Sequence, residues 1–195
     1  MIVLVGFMGA GKTTVGHLIS ERLGLPFVDS DLVIEQRSGR SVRQIFAEDG
    51  EPAFRELERQ VVADLIDGSE AVLALGGGAA EHPDTAVRLK SAQVVYLQVG
   101  YDEAMLRVAG DEYRPMLRRP DLEALYRRRL GVYDDVATLT VATDGRPESV
   151  SQDVLAQLSQ HLQPGHAAGP GADHPGRAGR LGRGREGLAQ PAPGP

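Results

Sequence analysis

Residues 2–14 read IVLVGFMGAGKTT, and this stretch restricts the fold more than any other. Four strand-forming residues, Ile2-Val3-Leu4-Val5, lead directly into Gly6-Phe7-Met8-Gly9-Ala10-Gly11-Lys12-Thr13. That run meets the pattern G-x-x-x-x-G-K-[ST] at every fixed position, with a strand before it and a helical pattern after it. The glycines let consecutive backbone N–H groups point inward, and the helix N-terminus adds partial positive charge, so the segment is suited to holding phosphates. Lys12 can reach β- and γ-phosphates, and the Thr13 hydroxyl is a hard oxygen ligand suited to Mg2+. An ordinary glycine-rich turn is the plainer reading, but with all fixed positions and the flanking context met, nucleotide binding is expected. The loop identifies a phosphoryl donor and leaves the acceptor open.

Strand-forming runs recur at Phe27–Val28, Val72–Leu75, Val94–Leu97 and Leu139–Val141. Helical patterns cover roughly residues 12–23, 31–37, 41–49, 51–67, 84–90, 102–108, 122–136 and 148–162. Gly24-Leu25-Pro26 ends the first helix before the second strand. Strands spaced by helices imply an α/β fold, three layers deep, with five parallel strands covered on both faces. In such sheets ligands sit beyond the carboxyl ends of the strands. The segments in that position are Gly6–Thr13, Asp29–Asp31, Gly76–Gly78 and the residues after Leu97.

The 195 residues suit one domain, residues 1–163, followed by a tail, residues 164–195. The tail reads PGHAAGPGADHPGRAGRLGRGREGLAQPAPGP, and its Gly and Pro cannot bury enough apolar surface to offset the entropy of ordering. It is expected to be disordered. Four arginines against Asp173 and Glu186 make it +2, so the net charge of −6 leaves the body at −8. An acidic body argues against nucleic acid as a partner. The absence of cysteine excludes disulfides and thiolate metal sites. No run approaches a membrane span, and no basic segment leads into an apolar stretch at the N-terminus, so a cytoplasmic protein without membrane contact is expected, as a monomer.

Several side chains then stand out. Asp29 and Asp31 end the second strand as alternate residues pointing the same way, so one can support Mg2+ through water while the other meets an acceptor hydroxyl. Asp29 or Ser30 can equally be the N-cap of the following helix, and both roles are compatible. On the helix over 122–136, Leu122, Leu125, Tyr126, Tyr133 and Val136 fall within about 60° of one direction at 100° per residue, and Arg129 falls in their midst. An inward guanidinium is costly unless it meets an anion. That anion is either a buried Asp or Glu of the protein or a substrate carboxylate or phosphate, which Arg grips with two parallel hydrogen bonds. Arg55 flanks the apolar stripe of Phe54, Leu57, Val61 and Leu65, with a surface pair to Glu51 as its plainer reading. Gly76-Gly77-Gly78 allow close approach of a ligand to the backbone at the sheet's edge. The polar stretch 107–121, RVAGDEYRPMLRRPD, suits a lid over about 109–121 that excludes water from the γ-phosphate; a solvated loop is the alternative.

Taken in order, GFMGAGKTTVG, FVDSDLVIEQRSGRSV, IFAEDGEPAFRELE, LALGGGA, RPML and TDGRPESV resemble shikimate kinase, a small P-loop kinase family of aromatic amino-acid biosynthesis, over about residues 2–162. The resemblance implies a P-loop kinase fold with a lid. It implies transfer of the γ-phosphoryl of MgATP to the 3-hydroxyl of shikimate. Gly9, Ala10, Gly11, Lys12, Thr13 and Thr14 would bind the ATP phosphates, with Lys12 stabilising transferred charge and Thr13 ligating Mg2+. Asp29 would support the metal through water, and Asp31 would hold the acceptor hydroxyl as the base. Arg55, Gly77 and Arg129 would bind shikimate, the arginines taking its carboxylate; Arg114 would be the lid arginine on the phosphates, and Arg107 and Arg146 would flank the adenine. The chain departs from the family where Arg-x-Pro-Leu-Tyr becomes Arg129-Leu130-Gly131-Val132-Tyr133, and where the stretch from Arg114 to Arg129 is shorter. A different small-molecule kinase, such as a gluconate or nucleoside-monophosphate kinase, and a non-catalytic nucleotide-binding switch are the competing readings. A nucleobase acceptor would want an apolar or amide-lined slot rather than two inward arginines, and a pure switch needs neither Asp31 nor a lid arginine.

Overall fold

Five strands, β1 (Ile2–Val5), β2 (Phe27–Asp29), β3 (Val72–Ala74), β4 (Gln93–Gln98) and β5 (Leu139–Ala142), pair in parallel in the order β2-β3-β1-β4-β5. This computed structural model describes residues 1–109 and 115–161. Arg114, the lid residues 110–113 and the tail from 164 onward therefore lie outside the described residues. In the central strand β1, Leu4 faces Ala74 on one side and Val95 on the other. Val3, Leu4 and Val5 are all buried although successive side chains point to opposite faces, so both faces of the sheet are covered. The chain leaves β1 toward β3 and β2 and later returns to β4 and β5, which opens a crevice at the carboxyl end of β1.

Eight helices accompany the sheet among the described residues: α1 (Lys12–Leu23), α2 (Ser30–Ser38), α3 (Val42–Glu48), α4 (Gly50–Ile66), α5 (Pro83–Leu89), α6 (Tyr101–Arg107), α7 (Leu122–Val136) and α8 (Pro147–His161). The periodicity of the sequence locates all eight, with ends displaced by a residue or so. The displacements have local causes. Asp29 caps α2, accepting from Asp31 N at 3.0 Å, so the helix begins at Ser30. Ser41 and Gln44 form a capping box that starts α3. Strand β3 stops at Ala74, one residue short of the apolar run, because Leu75 already turns into the glycine loop while its N–H still donates to Leu4 O at 3.0 Å. Two short 3-10 turns, Ala79–Glu81 and Pro115–Arg118, have no signature in the hydrophobic pattern. No helix among the described residues is long and apolar enough to cross a membrane.

Beside the main core, Ile34 of α2, Ile45 of α3, and Phe54 and Val61 of α4 form a second apolar cluster, with the Phe46 and Phe54 rings 4.7 Å apart. This small core fixes α4 against α2 and α3. On α7, Leu122, Leu125, Arg129 and Tyr133 are the buried residues, so the stripe derived from the sequence is the face that packs inward.

Candidate active site

Along the carboxyl ends of the strands runs a cavity of about 730 Å3. One end is the loop before α1. Gly9 and Gly11 adopt φ of +76° and +83°, values in the left-handed region that a side chain disfavours, and a Cβ on Gly9 would stand 2.7 Å from Ala104 O on α6. Gly9, Ala10, Gly11, Lys12, Thr13 and Thr14 all line the cavity. Lys12 Nζ donates to Gly6 O at 2.8 Å and to Phe7 O at 3.2 Å, which holds the ammonium at the mouth of the loop. Thr13 Oγ1 donates to Asp29 Oδ2 at 3.2 Å, so two hard oxygen donors from α1 and β2 stand side by side. That is the donor chemistry Mg2+ takes when waters and phosphates complete its shell. Arg107 closes this end: Nη1 donates to Gly9 O at 3.2 Å and Thr143 Oγ1 at 3.3 Å, and Nη2 donates to Thr143 O.

Asp31 occupies the middle. Its Oδ1 is shut off from solvent and has no hydrogen-bond partner among the described residues. Burial, followed by the charges of Asp29 and Glu58, pushes its carboxyl up to about 7 from an ordinary 3.8, against the opposing pull of Lys12 and Arg55. A carboxyl that senses Lys12 on one side and Arg55 on the other stands between a phosphate-binding end and a cationic end.

The far end is cationic and built on the three glycines. A Cβ on Gly76 would lie 2.6 Å from both Asp31 Oδ1 and Glu58 Oε1; one on Gly77 would lie 3.2 Å from Arg129 Nη1; one on Gly78 would lie 2.6 Å from Arg55 Cζ and 2.8 Å from Arg129 Nη2. The run of glycines thus makes room for the site's own charged side chains, where the sequence suggested room for a ligand against the backbone. Ser30 Oγ accepts from Gly76 N at 2.9 Å and ties the loop to α2.

Both arginines carry internal partners. Arg55 Nε and Nη2 donate to Glu51 Oε1 at 3.3 and 3.0 Å, and Nη1 donates to Glu58 Oε2 at 2.6 Å. Arg129, 3% exposed, donates from Nε and Nη2 to Glu81 Oε2 at 2.9 and 2.8 Å. The choice left open for Arg129 is settled to this extent: a protein carboxylate meets the guanidinium, and the same side chain still lines the cavity. Burial raises the Glu58 carboxyl, an effect that pairing with Arg55 only partly offsets. At Glu81 burial also acts upward, but the ion pairs with Arg129 and Arg128 outweigh it and hold that carboxyl low.

The cavity brings together Lys12, Thr13, Asp29, Asp31, Arg55, Gly77, Arg107 and Arg129. It does not include Arg146: that residue is exposed at the start of α8, where its carbonyl accepts from Val150 N, while Gly145 and Pro147 on either side line the cavity. Arg114 lies outside the described residues. Sequence reasoning missed three residues, Ser30, Glu58 and Glu81. Glu58 carried a signal, since at 100° per residue it lies about 40° from Phe54, at the border of the apolar stripe of α4. Ser30 and Glu81 carried none, because their partners are 46 and 48 positions away.

A family model described as shikimate kinase matches residues 8–159. The shikimate kinase of Thermobifida fusca (strain YX) is 46% identical over 162 residues, spanning 81% of this chain and 94% of the relative. That of Streptomyces coelicolor is 46% identical over 159 residues, 80% of this chain and 93% of the relative. A solved structure, shikimate kinase from Acinetobacter baumannii in complex with shikimate, is similar with a TM-score of 0.78 at 36% identity, covering 83% of this chain and 94% of that one.

Proposed function

The chain belongs to the shikimate kinase family, and from that premise we propose how its residues divide the transfer of the γ-phosphoryl group of ATP to the 3-hydroxyl of shikimate. The observation that carries the assignment is Asp31, whose buried, unpartnered Oδ1 lies in one cavity with Lys12 and with Arg55. ATP phosphates lie in the loop Gly9–Thr14, where inward N–H groups and the start of α1 favour negative charge. Phosphate oxygens draw Lys12 Nζ away from the carbonyls of Gly6 and Phe7 and share its charge. Thr13 and Asp29 would hold Mg2+, Asp29 through water; when bound, that ion neutralises charge on the phosphates.

The shikimate carboxylate lies at the cationic end, as a further anion for Arg55 and Arg129 beside Gly77. This leaves the 3-hydroxyl facing Asp31. As its oxygen forms a bond to the γ-phosphorus and the bond from that phosphorus to the β–γ bridging oxygen breaks, the hydroxyl proton passes to the Asp31 carboxylate. ADP leaves with the electron pair of the broken bond. Alignment of donor and acceptor supplies most of the rate, since phosphoryl transfer asks for little covalent chemistry from a protein. Arg107 ties Gly9 of the phosphate loop to Thr143, just beyond β5, and Arg114 would complete the phosphate contacts from the lid. We further propose that residues 1–163 are the complete catalytic unit, working as a monomer in the cytoplasm.

The test is an ADP-release assay with MgATP and a panel of shikimate, gluconate and nucleoside monophosphates. Release with shikimate alone supports the assignment; release with gluconate or a nucleotide in its place overturns it.

A further inference from the structure

We propose that Glu81 is the positioning residue for Arg129: it grips the guanidinium from outside the acceptor cavity and so presents the opposite edge to the carboxylate of the acceptor. This rests on the shikimate kinase reading and adds to it a residue acting through another. A guanidinium 3% exposed within an apolar helix face needs an anion at all times, including before substrate arrives. Glu81 supplies it through a single oxygen, Oε2, which accepts from both Nε and Nη2.

The direction of that grip matters. Glu81 lines a separate hollow of about 180 Å3 behind the glycine loop, together with His82 and Thr85, whereas Arg129 lines the large cavity. Gly78, Arg55 and Glu58 border both and form the wall between them. The edge that Glu81 leaves, Nη1, points at Gly77 on the cavity side. Glu81 is itself held: its N–H donates to Gly78 O at 3.0 Å within the 3-10 turn, and Arg128 Nε donates to its second oxygen at 3.2 Å. The same arrangement occurs around Arg55, where Glu51 Oε1 takes the Nε and Nη2 edge and Arg119 Nη1 donates to Glu51 Oε2 at 3.1 Å. Two recognition arginines are each braced by a carboxylate that a second arginine secures.

Glu81→Gln and Glu81→Asp in the full chain test this, with steady-state kinetics on shikimate and on its primary-amide analogue. For Glu81→Gln the KM for shikimate is expected to rise about tenfold, the low end of what one hydrogen bond to a charged group contributes. The KM for ATP and kcat stay within about twofold, since the lost interaction is made equally in ground and transition states. With the uncharged amide, variant and wild type share one KM. Glu81→Asp, which keeps the charge on a shorter arm, should show a smaller rise of the same kind and serves alone if the Gln variant does not fold. An unchanged or lowered shikimate KM, a collapse of kcat, or an equal effect on the amide would overturn the proposal. Wild-type protein that releases no ADP with shikimate would instead sink the underlying assignment.

Discussion

Asp31→Asn should make the protein more stable and nearly inactive, and the stability gain should grow with pH. Moving a carboxyl from 3.8 to about 7 corresponds to on the order of 4 kcal/mol of disfavoured ionisation. Below pH 3.8 the group is protonated in folded and unfolded chains alike. Between 3.8 and about 7 the unfolded chain releases the proton while the folded chain keeps it, so stability falls as pH rises; above about 7 the full penalty is present. The amide carries no such penalty and can donate toward Glu58 Oε1, the other buried oxygen facing Gly76. Denaturant unfolding of both proteins at pH 5 and pH 8 isolates the effect, because groups common to both largely cancel. The advantage of the variant should widen by roughly 2–3 kcal/mol between those two values. Activity should fall by at least about a hundredfold, within the range for loss of a general base. A pH-independent difference in stability, or a variant that loses stability as pH rises, would refute the claim that burial keeps this carboxyl protonated.

In the wild type, kcat/KM for shikimate should fall as pH drops through about 7, since the proton acceptor must be ionised; a profile flat down to pH 5 would place the base elsewhere. Arg129→Ala and Arg55→Ala should each raise the KM for shikimate about a hundredfold with little change for ATP, the scale of losing a buried charge-assisted contact. Gly76→Ala should lower kcat by at least about tenfold and destabilise the fold by about 1–3 kcal/mol, because its Cβ would stand 2.6 Å from two carboxylate oxygens; normal turnover in a purified variant would argue against so tight a contact. Thr13→Val should raise the Mg2+ concentration for half-maximal rate by removing a hard oxygen donor, read from a metal titration at fixed ATP. Truncation after Leu162 should leave kcat/KM within about twofold, since every residue assigned a role above precedes it.

What was legible in the chain was what lies within one turn of helix or one strand. The phosphate loop is contiguous, and its chemistry is backbone N–H groups, one ammonium and one hydroxyl, so residues 6–14 state it without help from elsewhere. Asp29 and Asp31 follow from the alternation of a strand, and Arg129 from the 3.6-residue repeat of α7. Both periodicities say which way a side chain points, and the buried face of α7 agrees. Neither says what it meets. That Gly76, Asp31 and Glu58 converge, that Ser30 Oγ secures a loop 46 residues on, and that Arg129 finds Glu81 depend on how α2 seats against β2, α4 against α2, and α7 against β4 and the Ala79–Glu81 turn. Such pairings are decided by packing over the whole domain. The same packing removes water from Asp31, and a carboxyl that reads in the sequence as an ordinary acid is pushed up to about 7 by its burial in the folded protein.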